Sequence, residues 1–68
     1  MRITVKRFGE NLRRIRKAKG LSQEGLALAV GIDRSYVGGI ERGERNPSLQ
    51  AILLLAETLN VSPGEFFK

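Results

Sequence analysis

The chain has 68 residues, which is one domain, and a domain this small buries only about 60% of its unfolded-chain surface. It contains neither cysteine nor histidine, which excludes disulfide staples, thiolate sites and the usual zinc ligands. Twelve Lys and Arg against seven Asp and Glu leave a net charge of +5. The excess sits at one end. Arg2, Lys6, Arg7, Arg13, Arg14, Arg16, Lys17 and Lys19 against Glu10 give residues 1–20 a charge of +7, and residues 21–68 carry −2. A basic end is the footprint of a polyanion binder, and equally the composition of a solvated helix face. No apolar run approaches the roughly 20 residues that span a bilayer. Met1–Lys19 lacks the uninterrupted apolar stretch of a secretion signal.

Turn signals cut the chain into short helical segments. Thr4 is placed to cap a first helix in which Val5, Phe8, Leu12 and Ile15 form one apolar stripe. Lys17 and Lys19 in the last turn, then Gly20, end it. Ser22 caps a second helix, with Gln23 and Glu24 in its first turn and Leu26, Ala27 and Val30 facing inward. Gly31 stops that helix, where only glycine turns left-handed without penalty. Asp33 caps a third helix with Val37 and Ile40 inward; Gly43 closes it, and Glu44 to Pro47 read as a polar loop. Ser48 caps the longest apolar segment, running to about Asn60, with Leu49, Ile52, Leu55, Ala56 and Leu59 inward. Ser62-Pro63 opens a last short helix through Phe67, with proline in its tolerated first turn.

No strand alternation of useful length appears, so the expected fold is all-α. Five short helices wrap one core of Phe8, Leu12, Ile15, Leu26, Val30, Val37, Ile40, Leu49, Ile52, Leu55, Leu59 and Phe66. The second and third helices are joined by only two or three residues. That spacing is a helix-turn-helix over residues 23–42, whose second helix is able to enter a DNA major groove. Ala27 is small where the helices cross, Gly31 makes the turn, and Val37 and Ile40 pack the second helix down. With Gln23 as position 1 of a twenty-residue unit, these four residues occupy positions 5, 9, 15 and 18.

From Phe8 to Phe67 the chain resembles the phage-repressor and Cro class of helix-turn-helix domains, the XRE family. The matching stretches are LRRIR at 12–16, GLSQEGLA at 20–27, GIDRSYVGGIERGERNPSL at 31–49 and LAETLNVSPGEFF at 55–67. Within that class, DRSYVGGIERGERN and the short length are similar to the controller proteins of restriction–modification systems. The resemblance implies a compact lambda-repressor-like domain filling residues 1–68. It also implies a cytoplasmic, nucleoid-associated regulator that binds double-stranded DNA as a homodimer on a pseudo-palindromic operator, with no cofactor, metal or small-molecule ligand.

The resemblance also assigns roles to individual residues. Gln23 opens the second helix, where the family holds a DNA phosphate with the glutamine amide and the helix N-terminus. Arg34 and Ser35 take the exposed first turn of the third helix, where the family reads base edges. An arginine there can bridge O6 and N7 of guanine, worth about 1–3 kcal/mol of discrimination. Tyr36 matches a controller-protein tyrosine that lies against the sugar–phosphate backbone. Arg45 and Asn46 lie in a loop that runs along the phosphates, and Ser48 doubles as cap and phosphate donor. Plainer roles stand beside these: a solvated charge for Arg34, a neutral filler for Ser35, a cover on the core edge for Tyr36, and a turn and cap for Asn46-Pro47-Ser48. The first-helix arginines are read as solvated. Arg16 and Glu41 match positions that form a largely buried ion pair between the first and third helices.

Two departures from the family stand out. Gly25 replaces a longer polar residue, and Gly38-Gly39 interrupts the third helix, each glycine costing roughly 1 kcal/mol relative to alanine. In controller-like sequences Gly39 lets the helix lie close to DNA; Gly38 has no account from sequence. Leu53, Leu54, Phe66 and Phe67 offer apolar surface beyond what one small core uses. As the family dimerises through this region, they are the expected homodimer contacts, within about 49–68. Two alternatives remain open at this stage: the antitoxin of a toxin–antitoxin pair, and a helix-turn-helix used for protein contacts alone. An enzyme is not expected, since no carboxylate pair, phosphate-cradling glycine loop or nucleophile–base arrangement is present.

Overall fold

The structure, a computed structural model, describes residues 3–68; Met1 and Arg2, one of the amino-terminal cations counted above, lie outside the described residues. Four α-helices are followed by a 3₁₀ turn: α1 Val5–Ala18, α2 Gln23–Val30, α3 Arg34–Glu41, α4 Leu49–Leu59, then Pro63–Phe67. The chain is all-helical, but the fifth element is not an α-helix. Five residues opened by a proline that lacks an N–H settle into the tighter 3₁₀ winding. No helix among the described residues is long and apolar enough to cross a membrane.

Each helix starts at a side-chain cap. Thr4 accepts from the Arg7 N–H, Ser22 from Gly25, Asp33 from Ser35 and Ser48 from Ala51. Each cap satisfies a donor that the first helical turn otherwise leaves orphaned. α2 ends on Gly31 at φ 84°, and α4 on Asn60 at φ 56°, both left-handed.

The core gathers one face from every element: Phe8, Leu12 and Ile15 from α1, Leu26 and Ala27 from α2, Val37 and Ile40 from α3, Leu55, Ala56 and Leu59 from α4, and Phe66. Leu49 is a correction, because it is 72% exposed. The buried stripe of α4 runs through Ala51, Leu55 and Leu59, and at about 100° per residue Leu49 stands to its side. Phe66 is a second correction. It is wholly buried, its ring 5.1 Å from that of Phe8, and so forms no part of an exposed dimer surface. Its neighbour Phe67 turns outward, edge-on to Phe8 at 5.3 Å and 40% exposed.

Two α1 residues that sequence reasoning passed over fix how the elements meet. Gly9 is buried where α1 crosses α3, and a Cβ there would drive into the backbone carbonyls of Ile40 and Glu41. Asn11, 1% exposed, gives its carboxamide N–H groups to the carbonyls of Phe66 (2.9 Å) and Lys68 (3.0 Å). Those two bonds tie the end of the chain to α1, and the first satisfies a buried carbonyl that would otherwise be costly to leave unpaired.

Candidate nucleic-acid interface

Three residues, Gly31 to Asp33, separate α2 from α3. The N–H groups of Gly31 and Ile32 both return to the Ala27 carbonyl, at 2.8 and 3.0 Å, which closes α2 and redirects the chain. α3 then packs through Val37 and Ile40 and carries its first turn, Arg34 and Ser35, on the surface. Arg34 makes no hydrogen bond or ion pair among the described residues. Ser35 is engaged: its N–H and its hydroxyl both donate to Asp33 Oδ1, each at 2.8 Å. These two bonds, backbone first, hold the Asp33 carboxyl below the usual carboxylate range, and the Arg45 charge adds to the effect.

The loop after α3 is pinned to that helix. Glu44 and Arg45 donate their N–H groups to the Gly39 carbonyl at 2.9 and 3.1 Å. The aliphatic stem of Arg45 lies where a side chain at position 39 would stand, so the space beside Gly39 is filled by Arg45. The Arg45 guanidinium continues over the Tyr36 ring, 5.4 Å from its centroid, in a cation–π contact. The Tyr36 hydroxyl accepts the Ser48 N–H at 3.2 Å. Tyr36, Arg45 and Ser48 are thus brought together, while Asn46 is exposed and lines a shallow apolar cleft of about 150 Å³ with Pro47, Val5, Ile52 and Phe67.

Behind this face lies a buried polar chain. Arg16 and Glu41 meet through two hydrogen bonds, Nε to Oε2 at 2.6 Å and Nη2 to Oε1 at 3.0 Å, with side chains 7% and 2% exposed. Nη1 of Arg16 donates to the Leu21 carbonyl at 2.7 Å, which joins the α1–α2 connection to the same network. Hydrogen bonding to Glu41 is the main cause of a raised Arg16 pKa, so the guanidinium stays charged. Gln23 donates its carboxamide to Glu41 Oε1 at 3.0 Å. The residue expected on a phosphate is therefore anchored to the ion pair and half-buried, with one of its two amide hydrogens committed. No buried side-chain nitrogen or oxygen lacks a partner among the described residues.

Sequence reasoning also passed over Arg42, which caps α3 and pairs with Glu44, Nε to Oε1 at 3.1 Å. Along α1, Arg13, Arg14, Lys17 and Lys19 are exposed, and Arg7 is drawn to Glu10 at 3.6 Å and to the Lys68 carbonyl at 3.0 Å.

A helix-turn-helix family model matches residues 12–66. YazB, a helix-turn-helix-type transcriptional regulator of Bacillus subtilis strain 168, is 48% identical over 58 residues, covering 85% of this chain and 84% of YazB. Among solved structures, the restriction–modification controller protein C.AhdI from Aeromonas hydrophila matches with a TM-score of 0.90 at 59% identity, covering 93% of this chain and 96% of that one. A second controller protein, C.Esp1396I, solved as a tetramer with its natural 35-base-pair operator, matches with a TM-score of 0.82 at 36% identity, covering 93% of this chain and 83% of that one. The chain belongs to the XRE-type helix-turn-helix family.

Proposed function

We propose that the chain is a sequence-specific transcriptional regulator of the controller type, acting as a homodimer on a two-fold-symmetric operator. The observation that carries this reading is the exposed first turn of α3, which presents Arg34, without a partner among the described residues, on a helix locked from behind by the Arg16–Glu41 pair. A reading helix needs that combination: base-seeking groups at its surface and a fixed orientation beneath them. Arg34 reads a base edge. Ser35 contributes a hydroxyl oxygen still able to accept, since its proton is given to Asp33. Gln23, Tyr36, Arg45, Asn46 and Ser48 hold phosphates on either side and set the register. Leu53, Leu54 and Phe67, which are 51%, 38% and 40% exposed, supply the apolar contacts between copies. A two-fold dimer places the reading helices about 34 Å apart, one turn of DNA.

Selection from a pool of randomised duplexes tests the reading. The expected result is an enriched site made of two inverted half-sites centred one helical turn apart. Binding that falls steeply with salt but enriches no sequence would mean phosphate contacts only, and would overturn the regulator reading.

A further inference from the structure

Gly38 stands within α3 and is buried, although glycine is a poor helix former. The space its side chain would take is occupied by polar groups. A Cβ at this position would lie 2.9 Å from Nη1 of Arg42 and 3.4 Å from Oε1 of Gln23. The Arg42 guanidinium therefore folds back across α3 and comes up beside the Gln23 carboxamide. Gln23 is immobilised by Glu41, whereas among the described residues the Arg42 side chain is held only by Glu44, in a pair whose side chains are 58% and 62% exposed. An exposed pair of that kind is weak and exchanges readily. A guanidinium has five donors, and Glu44 takes the one on Nε, which leaves the Nη groups over Gly38.

We propose that Arg42 is a further DNA-phosphate ligand working beside Gln23, that Gly38 exists to seat its guanidinium, and that Glu44 is the anion a phosphate displaces. The inference rests on the regulator reading and deepens it. A phosphodiester offers two anionic oxygens to a guanidinium whose Nη groups Glu44 does not engage, so exchange replaces a weak, exposed, one-bond pair with a contact that can take two charge-assisted hydrogen bonds. A Cβ added at position 38 meets the mobile end of Arg42 first, at 2.9 Å, then Gln23 Oε1 at 3.4 Å, and not backbone, so alanine displaces the Arg42 guanidinium while leaving the helix intact.

The test measures binding to the duplex enriched by the parent protein, by fluorescence anisotropy at several salt concentrations. The variants are Arg42→Ala, Gly38→Ala, Glu44→Gln and, as a control for bulk charge, Glu57→Gln on the exposed side of α4. Arg42→Ala is expected to weaken binding without changing base preference, and to reduce the magnitude of the log–log salt slope by about 0.9 per bound subunit. Gly38→Ala is expected to melt at or above the parent temperature and yet bind more weakly. Glu44→Gln is expected to bind more tightly than Glu57→Gln. The proposal is overturned if Arg42→Ala keeps the parent affinity and slope, if folded Gly38→Ala binds like the parent, or if Glu44→Gln gains no more than Glu57→Gln. A parent that binds no duplex overturns this and the regulator reading together, whereas parental binding with unaffected variants overturns this one alone.

Discussion

Glu41→Gln is the substitution most informative about the frame that holds α3. Glutamine keeps the size of the side chain and an oxygen for Gln23, but removes the charge opposite Arg16 and sets an amide N–H where Oε2 accepts from Arg16 Nε. That guanidinium is 7% exposed at its side chain and donates two hydrogen bonds to the carboxylate in the parent. Removing one partner of a buried pair costs about 3–5 kcal/mol, because the other charge stays desolvated and uncompensated. At about 0.05–0.15 kcal/mol per residue, a chain of 68 residues has a total stability of roughly 3–10 kcal/mol. The variant therefore loses roughly 30% or more of its stability. At about 4–8 °C per kcal/mol for a domain of this size, its melting temperature should fall by roughly 12 °C or more. Thermal melts followed by circular dichroism, with urea titrations for the free energy, measure this directly. Replacing both partners with apolar residues, Arg16→Met with Glu41→Leu, should cost less than Glu41→Gln alone, since neither charge is then stranded. A Glu41→Gln variant melting within about 4 °C of the parent, a loss of under about 1 kcal/mol, would refute the reasoning.

Three further outcomes follow from the packing. Gly9→Ala should destabilise by about 1–3 kcal/mol or more, despite alanine's better helix propensity, because the added methyl meets the backbone of α3 and not a movable side chain; a melting temperature at or above the parent's would contradict the close crossing. Asn11→Ala should cost about 1–3 kcal/mol by stranding the buried Phe66 carbonyl, and an unchanged urea midpoint would show that the carboxamide does not hold the 3₁₀ turn. The lowered pKa of Asp33 means that its carboxylate stabilises the fold above the unfolded value of about 3.9, and that this contribution disappears as pH falls through the folded value. Asp33→Asn keeps a cap but does not titrate. The difference in melting temperature between parent and variant should therefore change below about pH 4, and a constant difference from about pH 6 to pH 2.5 would contradict the assignment.

The helix starts were legible because Thr4, Ser22, Asp33, Ser48 and Ser62 are short polar side chains set before apolar periodicity, and each accepts an N–H from its own first turn. Local chemistry of this kind needs no tertiary information. Leu49 was misplaced for the opposite reason. The first residue of a helix has stripe membership only through its phase, and one hydrophobic residue at the margin does not fix that phase. Phe66 and Phe67 are adjacent and chemically alike, so composition could not divide the buried ring from the exposed one; the 3₁₀ winding and the Asn11 bonds do so. Asn11 and Gly9 did leave a signal. One is a polar residue on the Phe8–Leu12–Ile15 stripe, and the other a glycine inside a strongly periodic helix, where it costs about 1 kcal/mol without a packing reason. The partners that explain them lie 25 or more positions away and only appear once α1, α3 and the 3₁₀ turn are packed. In the candidate interface, the surface placement of Arg34 followed from its position in α3. That Gln23 leans on Glu41, and that Arg45 fills the space beside Gly39, are long-range contacts that no spacing encodes.

The proposed reading of a base edge by Arg34 is open to a direct measurement. Its most direct test is to repeat the duplex selection with Arg34→Ala and compare the two enriched sites position by position. The account predicts that preference relaxes at one position in each half-site while the salt slope stays close to the parent's, because a base contact has been lost and the phosphate contacts kept. An unchanged site, or a uniform loss of affinity with a shallower salt slope, would place Arg34 on the backbone and contradict the account.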